Sequence, residues 1–365
     1  MTSIRLQQVH RRTAVLPGAG PRLPGVRRLL AIRHDRLGDL VLTLPALASL
    51  RSAYPDCQLA CMVAPEWIPI AQQFDPVDAV LPFRPSSREN IRTIREFRPD
   101  LAICMTRSAG SAWQTLRGGV PQRVGTSHRL YSPLFHHRVD RRRRHGGLHE
   151  VDYARDFAMQ VGGEPDAPRF PWTLPESQRE RGALLGRDLR AGLGLTDEAP
   201  LVVLHAGSGG SCPTWPVAHH RLLGQRLTKL GFAVVHSMGP AEATWEAEGL
   251  FGDDSGAIFR GGLQELCGLV LHADAVVGSS TGPIHVAAAL GRPVLAIHGP
   301  WPTCGATRWG PYSVGGWAVI VGDERDGDWS RRRRRRDGQR LLGSLTPEDV
   351  VPMVEALIAG RPLAG

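Results

Sequence analysis

Short apolar runs recur along the chain, each followed by a stretch whose apolar residues fall at helical spacing. Arg28-Leu29-Leu30-Ala31-Ile32-Arg33 reads as a buried first strand and His34 to Gly38 as a turn. Asp39 then opens a helix with Leu40, Val41, Leu44, Leu47, Ala48 and Leu50 on one stripe. Tyr54-Pro55-Asp56 ends it. Strand-like runs at Gln58 to Ala64, Asp78 to Phe83 and Leu101 to Met105 are separated by segments long enough for helices, the alternation of a parallel α/β sheet. Gly118 to Asp140 is rich in Gly, Pro, Arg and His, which predicts loops. A helix is expected from His149 to Val161. Pro165, Pro168, Pro171 and Pro175 then exclude a long regular element, so this region reads as a linker.

The same alternation restarts at Leu201-Val202-Val203-Leu204-His205. A loop from Ala206 to Pro216 leads to a helix from Val217 to Leu230, then a strand from Phe232 to Met238. A short helix is expected after Gly239-Pro240-Ala241-Glu242 and another from Leu263 to His272. Ala275 to Ser279 is a strand that turns through Ser280-Thr281-Gly282 into a helix opening on Pro283, a favoured first-turn position. Pro293 to Pro300 is a further strand, and Thr346 to Gly360, with Pro347, Glu348 and Asp349 in its first turn, closes the fold as a helix. A chain of 365 residues with this pattern is expected to be an α/β protein of two doubly wound domains. The expected division is a poorly ordered segment over residues 1–26, domains over 27–175 and 176–345, and a closing helix and tail over 346–365.

Net charge is +9, but ten arginines sit in the runs Arg141 to Arg144 and Arg331 to Arg336, and the remainder is near neutral. The basicity is local. Neither run is interleaved with aromatic residues for stacking, which argues against a nucleic-acid partner. Clustered arginines suit an anionic lipid surface or an anionic acceptor, and each run alone reads as a solvated loop. The six cysteines, Cys57, Cys61, Cys104, Cys212, Cys267 and Cys304, contain no CxxC pair and indicate neither a zinc site nor a disulfide framework. They are expected to be mostly buried thiols. No apolar run is long enough to span a bilayer, and prolines and glycines interrupt the N-terminal segment, so a cytoplasmic location is expected.

Ser280, Thr281 and Gly282 stand where small side chains let backbone N–H groups approach an anion at a helix N-terminus, and His285 falls one turn further on. A capped strand-to-helix turn accounts for the same residues. Asp39, after Gly38, could accept a proton from an incoming hydroxyl; it could equally be a helix-end carboxylate. Gly207-Ser208-Gly209-Gly210-Ser211 could line a pyrophosphate or be a flexible loop. Glu242 could bridge ribose hydroxyls, although a Glu is ordinary in a first helical turn. No metal cage is apparent: the one Asp-x-Asp, Asp326-Gly327-Asp328, lies in a charged segment beside an arginine run.

These residues also form an ordered set. Ile32-Arg33 through Gly38-Asp39-Leu40-Val41-Leu42-Thr43-Leu44-Pro45-Ala46-Leu47, Tyr54-Pro55, Val120-Pro121-Gln122-Arg123-Val124-Gly125 and His205-Ala206-Gly207-Ser208 with Trp215-Pro216 come first. Gly239-Pro240-Ala241-Glu242 and Ser280-Thr281-Gly282-Pro283-Ile284-His285 running to Gly291-Arg292-Pro293 follow. Over roughly residues 28 to 312 the set resembles glycosyltransferase family 9, the ADP-heptose:lipopolysaccharide heptosyltransferases. The resemblance implies a GT-B fold, two Rossmann-like domains facing each other across a cleft. It also implies metal-independent, inverting transfer of heptose from an ADP-sugar to a lipopolysaccharide-core or similar lipid-linked acceptor. Asp39 would be the general base. Gly207, Ser208, Ser211, Glu242, Ser280, Thr281, Gly282 and His285 would hold the donor, and Arg33, Gly38 and Arg123 would lie on the acceptor or phosphate side. No metal or other cofactor is implied. The enzyme would be a monomer working at the inner face of the cytoplasmic membrane, touching it through the arginine runs.

Two positions depart from the family pattern. Pro213 replaces a basic residue two places before Trp-Pro, and Ser280 replaces an aspartate before Thr-Gly-Pro; Arg123 or Arg308 would then supply the missing positive charge. A sugar-nucleotide epimerase on the same fold and a non-catalytic sugar-nucleotide-binding scaffold are the alternative readings.

Overall fold

The computed structural model describes residues 2–9, 20–141, 147–167, 169–208, 210, 212–239, 242, 245, 251–322 and 330–363. It divides into a unit of Thr13–Thr173 and a unit of Leu174–Gly365 together with Met1–Arg12. The first strand, β1 (Ile4–Gln8), belongs to the second of these.

In the first unit, β2 (Arg28–Ile32), β3 (Gln58–Val63), β4 (Ala79–Pro82), β5 (Leu101–Cys104), β6 (Gln122–Thr126) and β7 (His137–Val139) form one parallel sheet in the order β4-β3-β2-β5-β6-β7. Leu29, Leu30, Ala31 and Ile32 are all fully buried, as expected of a central parallel strand covered on both faces. Helices α1 (Leu37–Val41), α2 (Leu44–Ala53), α3 (Ile68–Ala71), α4 (Ser87–Phe97), α5 (Ala109–Arg117) and α6 (Glu150–Met159) connect or cover it. The order reverses between β2 and β5, and α/β sheets of this kind bind ligands beyond the strand ends at such a switch point.

The second unit repeats the plan. After α7 (Glu176–Gly192), strands β8 (Leu201–His205), β9 (Ala233–Ser237), β10 (Ala257–Phe259), β11 (Ala275–Ser279), β12 (Val294–His298) and β13 (Gly316–Val321) are parallel, and β1 pairs antiparallel with β13. The order is β1-β13-β12-β11-β8-β9-β10, with the switch point between β8 and β11. The helices are α8 (Val217–Lys229), α9 (Leu263–Leu271), α10 (Gly282–Ala289), α11 (Ala306–Trp309), α12 (Arg331–Leu342) and α13 (Pro347–Ile358). One face of the sheet packs Trp215, Leu223, Trp301, Val350 and Val354, and the other packs Leu269, Val270, Ile284 and Ala287.

Several elements differ from the sequence reading. The helix expected from Asp39 to Leu50 is two helices, broken at Leu42 and Thr43, because Pro45 in the first turn of α2 has no N–H to continue α1. Residues 118–140, expected to be loops, contain β6 and, at the sheet edge, β7, whose small, polar and charged residues form no apolar run. Ile4–Gln8, within the segment expected to be loose, is held on β13; residues 10–19 lie outside the described residues. Helix α7 lies in a stretch that the sequence pattern leaves unassigned: charged residues crowd it, and its stripe of Leu185 and Leu189 beside Gly182 and Gly186 is only partly buried. Arg331 to Arg336, read as a loop, opens α12, whose N-terminus is capped by Ser330 Oγ accepting from Arg333 N at 3.3 Å. In the other run, residues 142–144 lie outside the described residues, while Arg141 Nε pairs with Asp156 Oδ2 at 2.8 Å. Most of the short helix expected after Glu242 also lies outside them.

Candidate functional site

At the end of β2, the chain turns through His34 to Arg36 and enters α1, which puts Asp39 in the first helical turn at the switch point of the first unit. Arg33 is 1% exposed and gathers the charges around it. Its guanidinium pairs with Asp39, with Asp35 Oδ1 at 3.1 Å and with Glu150 Oε1 at 3.3 Å, and Nη1 donates to Met105 O, just beyond β5, at 3.1 Å. A buried cation is tolerated only with partners of this kind. Burial pushes the Asp39 carboxyl above its ordinary pKa, Arg33 pulls it back, and Asp35 and Glu150 push it up again. The result is a carboxylate that is oriented by an arginine and more basic than a solvated one. His34 stacks on Phe83 at 3.7 Å and its Nε2 lies 3.2 Å from Ser111 Oγ; burial lowers its pKa. Glu150 is the residue that sequence reasoning missed. A Glu in a first helical turn looks like a response to the helix dipole, and only the topology that lays α6 against Arg33 gives it a second role.

In the second unit, β8 and β11 are neighbours, so the loop after His205 and the turn after Ser279 leave the sheet side by side. Trp215 N donates to Ser279 Oγ at 3.2 Å and ties the two together. Glu242 is 7% exposed; its Oε2 accepts from Gly239 N at 2.9 Å, and a Cβ added to Gly207 would meet its Oε1 at 2.2 Å. A side chain at position 207 would displace that carboxylate from where it lies. His205 Nδ1 is 3.0 Å from Ser237 Oγ; burial lowers the His205 pKa and Glu242 opposes the shift. Ser208 Oγ accepts from Gly210 N at 3.2 Å.

Thr281 is the N-cap of α10, yet its side chain makes no capping hydrogen bond. Its Oγ1 is buried and no described group bonds to it. Gly282 and Ile284 are in the first turn, where N–H groups have no acceptor within the helix. A hydroxyl, these amides and the helix dipole therefore converge where an anion would sit. His285 is buried one turn on, its ring 6.4 Å from that of Trp309. Ser280 is partly exposed in the turn, and Ser211 lies outside the described residues.

Of the expected residues, Asp39, Gly38 and Arg33 thus meet at one switch point, and Gly207, Ser208, Glu242, Ser280, Thr281, Gly282 and His285 line the ends of strands around the other. Arg123, on β6, donates from Nε to Leu134 O at 2.9 Å and from Nη1 to Val120 O, so its guanidinium is engaged by backbone carbonyls. Arg308 is 7% exposed on α11, its Cζ 5.0 Å from the Trp309 ring. The expectation of no disulfide is corrected. Cys212 and Cys304 are bonded, Cα to Cα 6.4 Å, across 92 residues of sequence. Both follow strands of the same sheet and leave it at the same end, a proximity no spacing rule reveals. Cys57, Cys61, Cys104 and Cys267 are buried free thiols, with burial pushing Cys61, Cys104 and Cys267 up to about 12. Among the described residues no cluster of His, Cys, Asp and Glu could hold a metal ion.

Comparison with known proteins matches residues 88–333 to the model of glycosyltransferase family 9 (heptosyltransferase). The lipopolysaccharide heptosyltransferase 1 of Pseudomonas aeruginosa is 28% identical over 292 residues, 75% of this chain and 79% of that one. The solved family 9 glycosyl transferase of Veillonella parvula superposes with a TM-score of 0.77 at 20% identity, covering 92% of this chain and 98% of that one. E. coli heptosyltransferase WaaC with ADP-2-deoxy-2-fluoro heptose gives 0.61 at 20% identity, covering 90% and 99%. At these identities the solved structures speak to the fold, which is GT-B.

Proposed function

The chain belongs to glycosyltransferase family 9 and is a glycosyltransferase, and from this premise we propose that it moves a heptose from an ADP-sugar to a lipopolysaccharide-core or similar lipid-linked glycan acceptor, with inversion and without a metal ion. Asp39 takes the proton of the acceptor hydroxyl. The oxygen attacks the anomeric carbon opposite the diphosphate, the bond from that carbon to the diphosphate oxygen breaks, and its electron pair leaves with ADP. Burial raises the basicity of Asp39, and Arg33 keeps it oriented. On the donor side the N-terminus of α10, with Thr281 and the N–H groups of Gly282 and Ile284, takes up the charge that develops on the leaving diphosphate. Glu242, packed against Gly207, accepts hydrogen bonds from the nucleoside hydroxyls, and Ser208, Ser280 and His285 complete the donor side. The mechanism asks nothing of a metal because this helix mouth performs the electrophilic part.

The observation that carries the reading is the buried hydroxyl of Thr281, to which no described group bonds, at the mouth of α10 just after β11, the neighbour of the strand that leads to Gly207, against which Glu242 packs. The donor assignment is supported by the fold relative seen with a fluorinated ADP-heptose. No described helix is long and apolar enough to cross a membrane. In this reading the protein works in the cytoplasm as a monomer and meets a lipid-linked acceptor peripherally, with no nucleic-acid partner, since clustered arginines suit an anionic lipid surface. The test is transfer in the presence of a chelator, read by mass spectrometry. With ADP-heptose and a lipopolysaccharide-core acceptor the product should gain one heptose. No transfer from a panel of nucleotide sugars, or transfer restored only by added divalent ion, would contradict it.

A further inference from the structure

The loops at the β8–β11 switch point carry no fixed positive charge. Residues 206–216, 238–242 and 279–285 contain neither lysine nor arginine. A diphosphate brings at least two negative charges, and a helix N-terminus equals only about half an elementary charge. Cations must therefore reach this end of the sheet from other elements. Arg334 of α12 is one that does, through the loop that follows β12.

Helix α12 is seated on both loops that the disulfide joins. Arg334 Nη1 donates to Thr303 Oγ1 at 2.8 Å and to Cys304 Sγ at 3.0 Å, and Cys304 is bonded to Cys212. One turn later on the same face, Gly338 has no side chain. A Cβ there would lie 2.6 Å from Pro213 Cγ and 3.2 Å from Trp301 Cζ2. The helix thus touches Pro213, five residues beyond Ser208, and holds the half-buried Arg334 beside it. This placement is costly to the helix itself. Arginines crowd its N-terminal end, where the dipole disfavours cations and like charges repel. The helix carries one acid, Asp337, which Arg336 pairs with at 2.7 Å. Local rules broken in this way mark functional segments.

We propose that Arg334 is a donor-phosphate contact, supplied by α12 from outside the switch-point loops, its planar fork binding diphosphate oxygens over the Cys212–Pro213 segment. The inference rests on the reading of this unit as the ADP-sugar site. The guanidinium geometry matters as well as the charge, because two parallel N–H donors match two phosphate oxygens. Exposed Arg332 and Arg336 lie on the same helix and take no part.

Calorimetric titration of the full-length protein with ADP and with adenosine tests this. Arg334→Met, which keeps the apolar stem, should weaken ADP about ten- to a hundredfold, the worth of a charge-assisted hydrogen bond, and leave adenosine unchanged. Arg334→Lys should recover part of the loss, and Arg332→Ala should bind both ligands as wild type does. ADP affinity unchanged in Arg334→Met would overturn the inference while leaving the donor reading intact. Equal weakening of ADP and adenosine would also overturn it, since α12 would then only prop the loop. Failure of the wild-type protein to bind ADP would remove the donor reading and the inference with it.

Discussion

Asp39 is held by opposing forces of similar kind. Desolvation and the neighbouring Asp35 and Glu150 favour its protonated form, and Arg33 favours the carboxylate. The folded pKa is raised, so the protonated fraction persists above the usual carboxylate range, and a base must be ionised to act. The acid limb of log kcat/KM against pH should therefore fall above the ordinary aspartate value of about 3.9, activity being lost as pH falls through the raised pKa. In Glu150→Gln one of the upward pushes is gone, and the limb should move to lower pH. A limb at the same pH in both proteins would show that Glu150 does not act on the base. Asp39 itself was legible as a candidate from its place after a strand and a glycine. Its burial was not, because that depends on Arg33 and Glu150, 117 residues apart, meeting at one point.

Among the elements, those with an apolar stripe or a buried apolar run stood out in the sequence, and those stabilised by neighbours did not. The strands at Arg28, Gln58, Leu101, Leu201 and Ala275 are nearly all buried apolar residues. Strands β6 and β7 and helices α7 and α12 are polar, small or arginine-rich, and only the packing of the finished fold defines them. Helix α6 was legible from its stripe, but it also buries acids. Asp152 is 2% exposed and burial pushes it up to about 6 from 3.8, against the pull of Arg155. A raised folded pKa means that the protonated form is preferred on folding, so this contribution is present below about pH 4 and is lost as pH rises through 6. Asp152→Asn should match wild type in thermal midpoint at pH 4 and exceed it at pH 8, a gain in stability of at most about 3 kcal/mol. Equal midpoints at both pH values would show that Asp152 is not buried as a charge.

At the scale of the molecule, each unit has the strand order of a doubly wound fold, and the candidate site residues of each gather near the reversal of that order. The alternation of apolar runs and helical stripes reveals that plan, and the ordered motifs reveal the family. The Cys212–Cys304 bond and the seating of α12 on Pro213 are long-range consequences of strand order, and no local pattern announces them. The division of labour, base in one unit and diphosphate grip in the other, is the central claim. It is tested most directly by Asp39→Asn, which keeps the shape of the side chain and removes its basicity, with heptose transfer and ADP affinity measured on one preparation. The account predicts a fall in kcat of at least about a hundredfold with ADP binding within about twofold of wild type. Transfer at the wild-type rate, or loss of ADP binding together with turnover, would contradict it.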